Sequence, residues 1–567
     1  MAAPLFAQNV FLELNLNQQT MQNMVHSMRP KPVLEIYRVI ERAGNDKRIT
    51  GIILNTSGFH EGPETLWELR SALEKFKSKG KKVCAFISAA DLDMYCLATV
   101  ADKIVMDDQG TLMLLGYAWG RGYVQHSLEK LGIGVRELRY LEYKTAAETY
   151  TRDSLSDADR RQYGELLDDI MTVTREAVTK SRSWTDVEFD SIINDDFMFS
   201  ARGALERGLV DFTGRKESIL KAVKEMTGAS SDSEGDKENI FFLYGDPDTS
   251  LTGSKYPYRP ARVRWFSRPP IIAVIYANGV TDMERGIAAK TLAATIKEVS
   301  EKKRVKALVI RISSPGGSAE AADYVAEAIK IAKKRIPVVV SMGGVAASGG
   351  YWISMDASHI VASPVTITGS IGVIGTWFYN NGLNDKLGFT IDTMQRGAHA
   401  DLLTGMIVPR RDLSPTEEAR YKKYILDVYG DFTTRVAASR NMNAEQVEAL
   451  AQGRVYSGKG AFNAGLIDSI GGLDDAVRIA RELAEIPETK KTAYHEFPKP
   501  RFMDKMLDYL ISSGVAGKAF TAGSINAASF AADMGIPGAV LEDIRYRIAH
   551  NGQVMPIMPL DSALLTK

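Results

Sequence analysis

Two glycine-rich turns in the second half of the chain carry residues that could do acyl chemistry. In RISSPGGSAEAADY, Arg311 to Tyr324, a Pro-Gly-Gly turn falls where an apolar strand-like run gives way to a helical one. Adjacent glycines let backbone N–H groups face a shared cavity without side-chain obstruction, so this turn could hold an oxyanion, or simply join strand to helix. In SMGGVAASGGYWIS, Ser341 to Ser354, Ser348 stands between Ala-Ala and Gly-Gly and is sterically open. The Gly349 N–H would lie at a helix N-terminus, where negative charge is favoured. Taken singly, this is also a small-residue packing turn. Taken together, at the ends of neighbouring parallel strands, the two turns could each supply one N–H, from Gly317 and Gly349, to an oxyanion formed by attack of Ser348.

A serine hydroxyl needs a base. The seven histidines are His26, His60, His126, His359, His399, His495 and His550. His359 reads as structural, at a strand edge, and His399 in RGAHADLL is the strongest histidine alternative. Lysine can replace histidine only where burial pulls its proton affinity far below the usual value of about 10.4. Lys144, in RYLEYKTAAETY, has small and apolar neighbours that would allow such burial. Local context alone leaves the choice open.

The elements that must position these residues come in two copies. Tyr95, Ala101, Ile104, Val105 and Gly116 recur as Tyr351, Ala357, Ile360, Val361 and Gly372, 256 positions later. Leu155, Ser156, Tyr163 and Arg182 recur as Leu413, Ser414, Tyr421 and Arg440 at a separation of 258, and a Ser-x3-Ala-x3-Gly-Leu-x-Asp pattern from Ser200 recurs from Ser457. Collinear matches of this kind indicate duplication. Each copy alternates apolar strand-like runs (ITGIILNTS and KKVCAFIS; VKALVIRIS and IPVVVSM) with residues at helical spacing, such as Leu66, Leu69, Leu73 and Phe76. Consecutive βαβ units predict an α/β fold with largely parallel sheets. The expected division is residues 1–227, a first repeat carrying the base, a linker or crossing segment over 228–270, a second repeat carrying the nucleophile over 271–490, and a helical tail over 491–567.

The chain has 567 residues, 45% of them hydrophobic, with 70 basic and 70 acidic side chains. That length exceeds one core, and the charge balance gives no global field that would draw the protein onto nucleic acid or an anionic membrane. Cys84 and Cys96 read as core thiols. No uninterrupted apolar run reaches membrane-spanning length, and the chain is expected to be soluble as written.

SPGGS at 314–318, SMGGVAASGGYWIS at 341–354, TGSIGV at 368–373 and YKTAAETYTRDSLS at 143–156 together resemble the long, two-repeat form of the signal peptide peptidase A (protease IV) family. The resemblance implies tandem Clp protease/crotonase-like repeats and a Ser/Lys peptidase. By position it makes Ser348 the nucleophile, Lys144 the base, Gly317 and Gly349 the oxyanion donors, and Ser370 the residue that orients the lysine. It also implies that released signal peptides and other apolar unfolded segments are the substrates, that no cofactor is required, that the assembly is a homotetramer, and that the protein associates with a membrane of the cell envelope, although the usual anchor is absent from this sequence. Leu92 stands where the first copy would have its serine, and RGAHADLL stands where the second would have its lysine, so one composite site per chain is expected. A crotonase-type acyl-CoA enzyme would share the fold without needing the pair, and a silent scaffold would keep the fold without turnover.

Overall fold

A computed structural model describes residues 9–16, 33–228, 240–244, 268–498 and 554–555. In the first half, strands β1 (Asn9–Asn15), β2 (Gly51–Asn55), β3 (Lys82–Asp91) and β4 (Lys103–Met113) form a parallel sheet in the order β4-β3-β2-β1. β2 is buried along its whole length and β3 over most of its own, as expected where helices cover both faces of a parallel sheet. Helix α1 (Pro63–Lys77) turns Leu66, Leu69, Leu73 and Phe76 into the core, with Pro63 in its first turn, where the missing N–H costs nothing. In the second half, β6 (Ile271–Asn278), β7 (Val305–Ser314), β8 (Val338–Ala347) and β9 (Ile367–Gly369) form a second parallel sheet in that order. The chain is therefore mixed α/β in two tandem halves, as the repeat pattern predicts.

Equivalent side chains hold equivalent places in the two halves. Tyr95 Oη donates to the Leu209 carbonyl at 2.8 Å, and Tyr351 Oη to that of Leu466 at 2.9 Å. The Asp211 carboxylate accepts from the Ile104 N–H at 2.8 Å, and that of Asp468 from the Ile360 N–H at 2.7 Å. Two helices of 26 residues, α2 (Asp157–Arg182) and α3 (Pro415–Arg440), start on the side-chain caps Ser156 and Ser414 and end on residues of positive φ, Ser183 and Asn441. The residues that betray the duplication in the sequence are thus caps and cross-element hydrogen bonds, whose geometry admits few substitutes.

Two expectations need correction. Within 228–270, Ile240–Tyr244 is a strand running parallel to β1, and most of that segment otherwise lies outside the described residues. The tail over 491–567 does not begin as a helix: Ala493–Phe497 is a strand parallel to β6 at the edge of the second sheet. Ala493 and Phe497 pack on the second core and Tyr494 on the first, a two-residue alternation too short to stand out in the sequence. Most of the tail beyond this strand lies outside the described residues.

The halves are joined by a strand pair. β5 (Ile133–Leu138) of the first half runs antiparallel to β10 (Ile374–Asn380) of the second, with Leu138 opposite Gly375 and Ile133 opposite Asn380. Glu137 lies inside this pair, and burial pushes its carboxyl from the ordinary 4.5 up to about 7, against the opposing pull of Arg139. A carboxyl whose folded pKa is raised stabilises fully below its unfolded value and loses that contribution as pH rises through the folded one. We expect Glu137→Gln to match the parent at about pH 4 and to exceed it at about pH 8 by on the order of 3 kcal/mol, measured by urea unfolding. An equal difference at both pH values would refute this.

Candidate active site

The β5–β10 pairing decides which segments meet. Because the strands are antiparallel, the chain leaving β5 after Leu138 and the chain entering β10 before Ile374 share one end of the ribbon. Lys144 follows the first and Ser370 precedes the second. The backbone closes the junction with hydrogen bonds from Tyr143 N to the Gln452 carbonyl (2.9 Å), Gly453 N to that of Ile371 (2.9 Å) and Ser370 N to that of Arg454 (2.7 Å). Gly453 has φ +84°, and a side chain there would begin 2.7 Å from Lys144 Cβ, so only glycine lets the two segments lie this close.

Ser348 sits at the turn between β8 and the short helix Gly349–Ser354. Its φ of +56° with ψ of −112° is unfavourable for a residue with a Cβ, and its N–H is held by the Gly369 carbonyl at 2.8 Å. Ser370 also has positive φ, +49°. Lys144 Nζ lies 2.7 Å from Ser348 Oγ, 2.9 Å from Ser370 Oγ and 2.9 Å from the Ser370 carbonyl. All three residues are at most 1% exposed. Lys144 Nζ thus donates to two hydroxyls and one carbonyl at a site closed to solvent.

The Pro-Gly-Gly turn reaches the same place from β7. Gly317 has φ +153°, and a Cβ there would come within 2.2 Å of the Thr281 carbonyl. A Cβ on Gly349 would sit 3.2 Å from Gly317 N, so the two turns are packed backbone to backbone beside Ser348. The expected residues Lys144, Ser348, Ser370, Gly317 and Gly349 are therefore gathered at one locus. The histidine alternatives have other partners: His399 Nδ1 lies 2.7 Å from Glu417, and His359 Nε2 lies 2.9 Å from Ser469 Oγ.

Two contributors escape sequence reasoning. Thr281, fully buried, accepts from Ser318 N at 2.7 Å and donates its own N–H to the Gly316 carbonyl at 2.8 Å, clamping the Pro-Gly-Gly turn. Gln452–Arg454 clamps the lysine segment through the backbone bonds that close the junction. Both act through backbone groups, which leave little trace in residue type; the glycine at 453 was the one available signal.

A strained serine with a buried amine at hydrogen-bond distance and paired glycine turns beside it is an arrangement that could support nucleophilic acyl chemistry. The model of Peptidase family S49 matches residues 75–230 and 330–487, one segment in each half. The serine protease SPPA of Arabidopsis thaliana, described as chloroplastic, is 31% identical over 81% of this chain and 67% of its own. Protease 4 of Salmonella typhi is 31% identical over 86% of this chain and 77% of its own. A ClpP1 mutant structure from Listeria monocytogenes aligns with 36% of this chain and 94% of its own, at 17% identity and a TM-score of 0.25. The chain belongs to peptidase family S49 and is a serine peptidase. Among the described residues, no helix is long and apolar enough to cross a membrane.

Proposed function

We propose that the chain cleaves peptide bonds with Ser348 as nucleophile and Lys144 as general base, each half supplying one of the pair. The observation that carries this reading is the 2.7 Å separation of two buried groups from different halves. The neutral Lys144 amine takes the Ser348 proton as Oγ attacks the carbonyl carbon, and the Gly317 and Gly349 N–H groups receive the developing oxyanion. The ammonium then protonates the leaving amine as the C–N bond breaks, leaving an acyl-Ser348. Lys144, neutral again, takes a proton from water as the water attacks the ester, and returns it to Ser348 Oγ when the acid departs. Ser370 holds the amine through its hydroxyl and carbonyl during both halves of the cycle. The substrates, by family resemblance, are released signal peptides and other apolar unfolded segments, cleaved by a homotetramer associated with a cell-envelope membrane.

Labelling with a biotinylated fluorophosphonate, mapped by mass spectrometry, tests the pair. We expect one adduct, on Ser348, in the parent protein, and labelling slowed at least 100-fold in Lys144→Ala, since an unassisted hydroxyl is a weak nucleophile. Equal labelling of both proteins, or an adduct on another serine alone, would remove the assignment.

A further inference from the structure

Lysine has four side-chain torsions, and roughly 2 kcal/mol of rotamer freedom opposes holding its amine in one place. Moreover, Lys144 lies in neither helix nor strand, so its flanking peptide groups need partners from elsewhere. They find them on α2 and at Arg121, in the loop that follows β4. Gln162 Nε2 lies 3.4 Å from the Tyr143 carbonyl, 3.1 Å from Thr145 Oγ1 and 2.9 Å from Asp159 Oδ1. Its Oε1 accepts from Val455 N, in the second half, at 3.3 Å. Arg121 Nη1 donates to the Thr145 carbonyl at 3.0 Å and pairs with Asp159 Oδ2 at 2.7 Å, while Thr145 Oγ1 donates to Asp159 Oδ1 at 2.5 Å. Gln162 is 1% exposed, and the Arg121 and Asp159 side chains are wholly buried.

The duplication separates what is scaffold here from what serves the lysine. Asp159 corresponds, 258 positions on, to Glu417, which is likewise paired with an arginine, Arg411. The acid–arginine corner at the start of the long helix is thus common to both halves. Gln162 corresponds to Arg420, so the amide is present in the half that carries Lys144 and is replaced in the half that does not. An amide can donate to the Tyr143 carbonyl and Thr145 Oγ1 on either side of the lysine while accepting from the other half, without placing a charge near the amine. Arginine has no acceptor and could not do both.

We propose that Gln162 is the positioning residue for the general base: one amide that ties the Tyr143 carbonyl and the Thr145 hydroxyl, on either side of Lys144, to the Val455 N–H of the other half, and so fixes where the amine meets Ser348. This rests on the assignment of Lys144 as base. Misplacing a reacting group by about 1 Å can cost about 100-fold in rate, and Gln162 holds the base without facing the peptide. Its loss therefore falls on kcat and leaves KM alone.

The test compares full-length parent, Gln162→Met, Gln162→Asn and Lys144→Ala on an apolar fluorogenic peptide, with thermal unfolding of each recorded. Gln162→Met should fall about 10- to 100-fold in kcat with KM within about two-fold of the parent. Gln162→Asn keeps the amide but shortens its reach by one methylene, and should show the same split to a smaller extent, which covers the case that the methionine variant folds poorly. Parent kcat in either folded variant, or a loss that merely follows the unfolded fraction, overturns the proposal. If Lys144→Ala is inactive while the folded Gln162 variants turn over normally, the positioning role fails and the base assignment stands. Normal turnover by Lys144→Ala overturns both.

Discussion

Lys144→Ala is expected to lower kcat for peptide hydrolysis by about 10⁴-fold or more, since groups that act as one catalytic unit lose most of their effect when any member goes. KM should change little, because the amine touches Ser348 and Ser370. Fold stability should hold or rise: the substitution removes an amine that is 1% exposed and leaves behind hydroxyls and a carbonyl. Lys144→Arg should be as inactive as the alanine variant, because a guanidinium stays protonated and cannot take the Ser348 proton. Ser348→Ala supplies the reference for complete loss. Steady-state kinetics on one apolar peptide, with circular dichroism to establish folding, decides the matter. Turnover by the arginine variant within ten-fold of the parent would show that Nζ is not the proton acceptor.

Why Ser348 was legible in the sequence and Lys144 was not comes from how each is held. Ser348 depends on its immediate neighbours: Gly349 and Gly350 must be small for the turn to pack against the Pro-Gly-Gly turn, and that need is written as a local motif. Lys144 depends on β10, more than 200 positions away, whose pairing with β5 brings Ser370 and Gly453 against it. The small and apolar neighbours of Lys144 allow burial without requiring it, so local context offers it as a candidate base and the family resemblance decides for it. The duplication was legible because Tyr95 and Tyr351, Ser156 and Ser414, and Asp211 and Asp468 are hydrogen-bonding residues whose roles tolerate few replacements. Gln162 escaped notice for the opposite reason. It lies on a helix of ordinary polar composition, and two of its contacts, the Tyr143 carbonyl and the Val455 N–H, are backbone groups that any residue would supply.

The charged residues that join the halves are the plainest case of hidden context, and they carry the largest expected effect on stability. Glu64 and Glu68 on α1 would pass for solvated helix positions, yet both are buried against Arg311 of β7. Arg311 Nη1 lies 2.7 Å from Glu68 Oε1, 2.7 Å from Ser341 Oγ and 3.1 Å from the Met342 carbonyl, and Nη2 bonds Glu64. Glu68 also accepts from Tyr37 Oη at 2.9 Å and from Leu473 N at 3.1 Å. Arg311 is three residues before Ser314, where β7 turns into the glycines beside Ser348, so this cluster anchors β7 and its Pro-Gly-Gly turn to the first half. Arg311→Met would leave two carboxylates buried without a cation, and is expected to cost about 3–5 kcal/mol. Burial, reinforced by Glu64 and opposed by Arg311, already holds the Glu68 carboxyl well above the usual range. Removing the arginine raises it further. A group with a raised folded pKa stabilises in its protonated form, so the deficit of Arg311→Met should be smallest in acid and grow as pH rises. Urea unfolding at pH 5 and pH 8 reads this directly. Adding Glu64→Gln and Glu68→Gln to Arg311→Met should recover most of the loss at pH 8, since those amides need no counter-cation. A deficit that is the same at both pH values, or that persists undiminished in the triple variant, would mean that lost packing and not unpaired charge sets the cost.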